Sequence, residues 1–259
     1  MFYTILNQWQ PFAAVFFLAT FWIWEAHSPF FARQNRVRHA TRNLAIAIIN
    51  SLLLAVIFAG LTVLIAEATK ENKMGLVYLL SISGGASVAV SFLLLDFWMY
   101  WWHRLNHQIP FLWRFHRMHH SDPNVDVTTA TRFHPGEIVL SSILRLAAIP
   151  LAGIPIEAII LFDAVQLPII SFHHANISLP KTLDRALRRA IVTPFMHKVH
   201  HSRLMREANS NFSSVLSIWD RLFHSFTEKE DYREIRFGLD GFDVRDRQSI
   251  QGLLRTPLF

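Results

Sequence analysis

The stretch NLAIAIINSLLLAVIFAGLTVLIA, residues 43–66, contains no charged residue and is long enough to cross a bilayer as a helix. A chain carrying it must satisfy its backbone polar groups internally, which in lipid leaves only helices or a closed barrel. Two further runs join it. PFAAVFFLATFWIW (11–24) reaches spanning length when extended back to about Phe2, and GLVYLLSISGGASVAVSFLLLDFWMYWW (75–102) ends in aromatics suited to an interface. The N-terminus has neither a basic residue nor a small-residue cleavage site, the pattern of a retained span rather than a removable leader. The composition agrees: 52% of residues are hydrophobic, only 17% are charged, and Phe occurs 22 times.

A fourth apolar region, residues 138–170, is too long for one span and is interrupted by Pro150, Gly153 and Pro155. These residues predict a hairpin or re-entrant pair turning within IPLAGIP. Glu157 and Asp163 lie inside it and are expected to face protein or water. Gly84-Gly85 is expected to permit close helix contact. RQNRVRHATR (33–42) carries four arginines, whereas EATKENK is charge-balanced. The positive-inside rule then puts residues 27–43 and the end of the third span in the cytoplasm. The net charge of +6 reads as a juxtamembrane basic surface, not as a nucleic-acid site. After residue 180 no further span is visible.

The second constraint is histidine. Residues 103–120, HRLNHQIPFLWRFHRMHH, hold five, and HKVHH recurs at 197–201. On a helix, positions i, i+3 and i+4 share a face. His103 and His107 are thus one pair; His116, His119 and His120 form one face, and His197, His200 and His201 another. With 14 histidines in the chain, random placement would give about 0.04 copies of HxxHH, and there are two. Imidazoles crowded this way repel when protonated, which disfavours the clusters unless a ligand is bound. Eight such ligands exceed the needs of one four-coordinate ion, so two metals are expected. Asp96 and Tyr100 fall on the stripe of His103, and Asp96 is expected to accept its second ring proton. His27 and His39 stand alone and are read as structural or solvated. The absence of cysteine excludes disulfides, thiolate zinc sites and iron–sulfur clusters, and no strand leads into a GxGxxG turn for a nicotinamide or flavin.

DFWMYWWHRLNH, HRMHHSDPNVDVTTATRFHPGE, FHHANISLP and HKVHHSRLMREANSNFSSVLSIWDRLF resemble, in order, the motif series of the sterol desaturase and fatty acid hydroxylase superfamily. The resemblance covers roughly residues 90–226 and implies an all-α integral membrane bundle with a cytoplasmic helical cap holding a histidine-rich di-metal site. Read with the apolar runs, that gives about three spans plus the hairpin pair. The domain division expected is N-terminal transmembrane helices at 1–89, the hydroxylase-like domain at 90–226 and a cytoplasmic tail at 227–259. The metal ligands implied are His103, His107, His116, His119, His120, His197, His200 and His201, with His174 of HHAN as a ninth and His134 of RFHPGE as a tenth. For His134 the alternative is a capping residue before the hairpin. His173 matches a flanking position that would orient ligands, and Asn176, Asn211 and Asp220 match polar positions that would either orient ligands or order loops. Two departures fall at expected glycines, now Ser213 and His224.

The implied activity is dioxygen-dependent hydroxylation or desaturation of a membrane lipid by two iron ions, with zinc able to substitute. Electrons would come from a separate transfer protein, because the chain has no redox site of its own beyond the metals. A membrane metal transporter or a zinc hydrolase is the competing class. A transporter would place its ligands at mid-bilayer, and a hydrolase would need a carboxylate base, which neither HxxHH contains.

Overall fold

The computed structural model describes residues 2–32 and 35–259, with residues 2–10 as backbone only. Arg33 and Gln34, part of the basic stretch, lie outside the described residues. The architecture is helical, and the only β-pairing among the described residues is two isolated bridges, Pro29–Ile177 and Ile191–Leu216.

Helix α1 (Phe2–His27) precedes α2 (Arg36–Leu53), which runs through a π-helical turn at Leu54–Phe58 into α3 (Ala59–Glu71). The continuous rod is about 54 Å long at 1.5 Å per residue, well beyond an apolar core of about 30 Å. Its first turns explain the excess. Asn43 donates to Thr128 Oγ1 and Asn50 to the Phe133 carbonyl, so this end packs on polar loops. A short α4 (Leu76–Leu79) leads to α5 (Gly84–Gln108), and a kink at Ile109 opens α6 (Pro110–His120). The predicted hairpin is present as α7 (Pro135–Ala152) and α8 (Ile156–His174).

Among the described residues, four stretches are long and apolar enough to cross a membrane: Arg36–Leu79, Gly84–Gln108, Pro135–Ala152 and Ile156–His174. The hairpin turns at Gly153, whose φ of +78° suits a residue without Cβ. Gly75 meets it there. A Cβ on Gly75 would come within 2.2 Å of the Gly153 nitrogen, so the hairpin tip and the α3–α4 connection are pressed together at the end opposite the histidines. Gly84 and Gly85 behave differently from the expectation. A Cβ on either would meet nothing within 4 Å; they start α5 and make no close crossing. Asp163 pairs with Arg145 across the hairpin at 2.7 Å, as an acidic residue in an apolar helix requires, while Glu157 is exposed in the first turn of α8. Between α3, α5, α7 and α8 the core is apolar, built on Ala66, Leu95, Ile149, Ile159 and Phe162.

Buried carboxylates tie the helical base to the loops above it. Glu25 accepts from the Val127 and Asn176 backbone amides and pairs with Arg36. Asp126 caps the short helix Val127–Thr131 in a reciprocal capping box. His39 sits between Asp122 and Asp126, at 2.9 and 3.0 Å, and is neither solvated nor alone.

Candidate metal centre

Four elements deliver the histidines. The last turns of α5 carry His103 and His107, and α6 begins on Pro110, whose fixed φ suits a first helical turn, and presents His116, His119 and His120. His174 ends α8. Beyond α9 (Lys181–Leu187), helix α10 (Pro194–His200), capped by Thr193, brings His197, His200 and the following His201. All of these rings are buried except that of His103, which is half-buried.

They sort into two adjoining groups. His103, His107, His116, His120 and His200 have one ring nitrogen each within 4.8 Å of the others; His119, His174, His197 and His201 form the second such set. The sets touch through His120, whose ring centroid lies 4.6 Å from His200 and 4.7 Å from His201. The spacing of HxxHH therefore does more than share a face. Its last two histidines diverge, so that each motif contributes to both groups.

Hydrogen bonding sets which nitrogen faces inward. A carbonyl can only accept, so the Nδ1–H of His103 donates to the Phe212 carbonyl at 2.8 Å, that of His200 to Ser210 at 2.7 Å and that of His174 to Ile170 at 2.9 Å. His116 Nδ1 donates to Glu137 Oε1 at 2.8 Å, and His107 Nδ1 faces Asn209 Oδ1 at 3.3 Å. Each of these rings is left with a bare Nε2 lone pair turned into its group. Nε2 of His103, His107, His116 and His200, and both nitrogens of His120, are buried with no partner among the described residues. In the second group Nε2 atoms face one another: His119 and His174 at 3.2 Å, His174 and His197 at 3.0 Å, His197 and His201 at 3.0 Å. A tetrahedral ion with bonds of about 2.0–2.1 Å spaces its ligand nitrogens about 3.3 Å apart, close to these separations. Protonation offers no relief, because burial, followed by the neighbouring imidazoles, holds His119, His120, His197, His200 and His201 well below the ordinary histidine range. Neutral, inward-facing, unpaired imidazoles are a donor set that fits two cations.

The remaining sequence-predicted residues separate. His173 lies beside the second group, its ring 4.1 Å from His197 and its Nδ1 buried and unpaired. His134 belongs to neither group. It caps α7, its Nδ1 accepting from the Gly136 amide at 2.9 Å while Nε2 faces the Leu254 carbonyl. Asp96 does not reach His103. Its carboxylate receives the Val215 and Leu216 amides and Trp219 Nε1, and so fastens the loop after α10. Tyr100 bonds Ser225 and receives Arg104, and Asn176 clamps both backbone groups of Phe31. Asn211 and Asp220 order the loop that presents the Ser210 and Phe212 carbonyls. Asn211, at φ +54°, bridges Met196 and Thr227, and Asp220 receives the Phe212 and Ser213 amides. His224 stands at φ +55°, a conformation that favours glycine, whereas Ser213 has no such demand and joins the Asp220 network.

Sequence reasoning missed Glu137. It was visible in HPGE, but nothing local marks it as the partner of His116. Two substitutions separate the two acids. Glu137→Leu is expected to weaken metal binding about ten- to a hundredfold, the usual loss on removing a ligand's outer partner. Asp96→Asn turns an amide group toward three donors and is expected to cost about 1–3 kcal/mol of stability with metal content intact. Metal analysis beside a thermal melt reads both, and the reverse pattern would restore Asp96 to the site.

The profile of the fatty acid hydroxylase family matches residues 88–225, more than half of the chain, and the chain belongs to that family. Among curated proteins it is 32% identical to ornithine lipid hydroxylase from Rhizobium tropici, over 54% of this chain and 41% of that protein. It is 30% identical to alkylglycerol monooxygenase from Homo sapiens, over 58% of this chain and 32% of that protein. To a cholesterol 25-hydroxylase-like protein from Danio rerio it is 29% identical, over 52% and 53%. The chain thus spans about a third to a half of the length of these relatives. No solved structure matches it.

Proposed function

We propose that this protein is a dioxygen-dependent lipid hydroxylase with two iron ions, one in each histidine group. The observation that carries the reading is the division of nine histidines, eight buried and one half-buried, into two adjoining sets, with partnerless Nε2 atoms turned inward in the first and Nε2 atoms facing one another in the second. His103, His107, His116, His120 and His200 would hold one ion, and His119, His174, His197 and His201 the other. His173 would support His197 from the side. Names of the relatives, all lipid hydroxylases or monooxygenases, agree. When bound, the iron pair supplies the redox capacity to activate dioxygen against a C–H bond.

The chain's own residues supply orientation and exclusion. Glu137 and the Phe212, Ser210 and Ile170 carbonyls hold Nδ1 protons and so keep the inner lone pairs available. A cavity of about 140 Å³ opens beside both groups between Met99, Trp102, Phe133, Ile138 and Ile170. These side chains would seat an alkyl chain and keep bulk water from the reacting carbon. With no cysteine and no nicotinamide or flavin motif in the chain, the electrons would come from a separate protein docking on the basic face. Extracts of cells expressing the protein, compared by mass with cells expressing His200→Ala, should show lipids that have gained oxygen. A loss of two hydrogens instead would make it a desaturase, and no change in any lipid would remove the reading.

Both groups would lie on the cytoplasmic side. The chain lacks cysteine, so single reporters are unambiguous. Cysteines at exposed Asn124 and Leu204 are expected to react with an impermeant thiol reagent from the same face, and one at exposed Asn72 from the opposite face. Labelling of Asn124 and Leu204 positions from opposite faces would end the shared-site arrangement.

A further inference from the structure

The cavity beside the histidines has a polar deep end. Helix α8 runs from the hairpin tip to His174, so Gln166, eight residues earlier, sits about 12 Å down the helix toward the opposite membrane face. Gln166, Ile170, His173 and His174 share one stripe of α8, and all four line the cavity. Ser141 of α7 and Met99 of α5 line it too, each one turn deeper than the site residues Glu137 and His103 on their helices. The Gln166 amide nitrogen is buried and has no partner among the described residues. A primary amide in the middle of an apolar helix is costly when its hydrogen bonds are unmade, and a polar group at such a depth is a candidate functional position.

We propose that Gln166 forms a polar subsite that takes an oxygen or amide function carried within the apolar part of a lipid. The substrates of this protein are then lipids with a hydrogen-bonding group set back from the carbon being oxidised by about the 12 Å that separate Gln166 from His174. The subsite acts as a ruler: the polar group docks at the floor, and the length of chain above it decides which carbon reaches the metals. Its donor would serve a hydroxyl, ether or carbonyl oxygen, while Ser141 offers a hydroxyl across the cavity. The proposal rests on the reading of this cavity as the lipid site.

The test uses the full chain in lipid nanodiscs, with octadecanoate and its monohydroxy isomers as competing probes. One narrow range of hydroxyl positions is expected to bind about tenfold more tightly than octadecanoate, as one added hydrogen bond allows. Gln166→Leu, close in volume, is expected to equalise the series and leave octadecanoate binding and metal content unchanged. Should the leucine variant lose its metals, Gln166→Met supplies the same comparison. Equal binding of all isomers by the unaltered protein, or a preference that survives in both variants, overturns the subsite. A chain that binds two metals and oxidises the hydroxy isomers without positional preference sinks the subsite alone. A chain that shows the preference but never oxidises a lipid sinks the oxygenase reading alone.

Discussion

His200→Ala and His119→Ala are each expected to leave about one metal per chain and to abolish lipid oxidation. The two histidines belong to different groups, so each variant empties a different position. The loss should exceed the ten- to hundredfold that accompanies removal of an outer partner, because a ligand itself is missing from a shell of four or five. His27→Ala is the control. That ring is exposed and, among the described residues, is hydrogen-bonded to the Ile23 carbonyl of its own helix, so metal content and turnover should stay at the parent level. If either His200→Ala or His119→Ala retained two metals per chain, the grouping of ligands would be wrong.

His39→Ala is expected to cost about 3–5 kcal/mol of stability, the range for removing one partner of a buried pair. Its loss removes the cation that Asp122 and Asp126 share, both fully buried, and Asp122 also carries Thr129 Oγ1 and lies two residues beyond His120. The thermal transition should fall by many degrees, while the folded fraction keeps its metal. Asp122→Asn offers a second entry to the same network. A His39→Ala protein with an unchanged transition would return His39 to the solvated alternative that its isolation in the sequence left open beside the structural one.

That isolation shows where sequence reading stops. Helical faces repeat locally, so HxxHH and the His103–His107 pair could be read as ligand-bearing stripes without any fold. Gly153 and Pro155 marked the hairpin turn in the same way, because helices end readily at such residues, whereas α7 runs through Pro150 for two further residues. The partners of His39, by contrast, lie 83 and 87 residues away, and Glu137 lies 21 residues from His116 across a turn and a loop. No periodicity connects such pairs. Asp96 illustrates the converse error. It does share the broad face of His103, but the loop at 215–219 arrives from outside and takes its carboxylate. His134 followed the resemblance to the metals, while its place directly before Pro135 and Gly136 suited a cap, which is where the structure puts it. The split of each HxxHH motif between two groups depends on how α5, α6, α8 and α10 converge, and only the tertiary structure supplies that.

The central claim is a pair of ions working on a lipid with dioxygen. Its most direct test is elemental analysis of the purified chain, joined to turnover under isotopically labelled dioxygen with an electron donor supplied. The account predicts two metals per chain, activity that tracks the iron fraction, and label carried into the lipid. One metal per chain in active protein, or product oxygen derived from water, would contradict it.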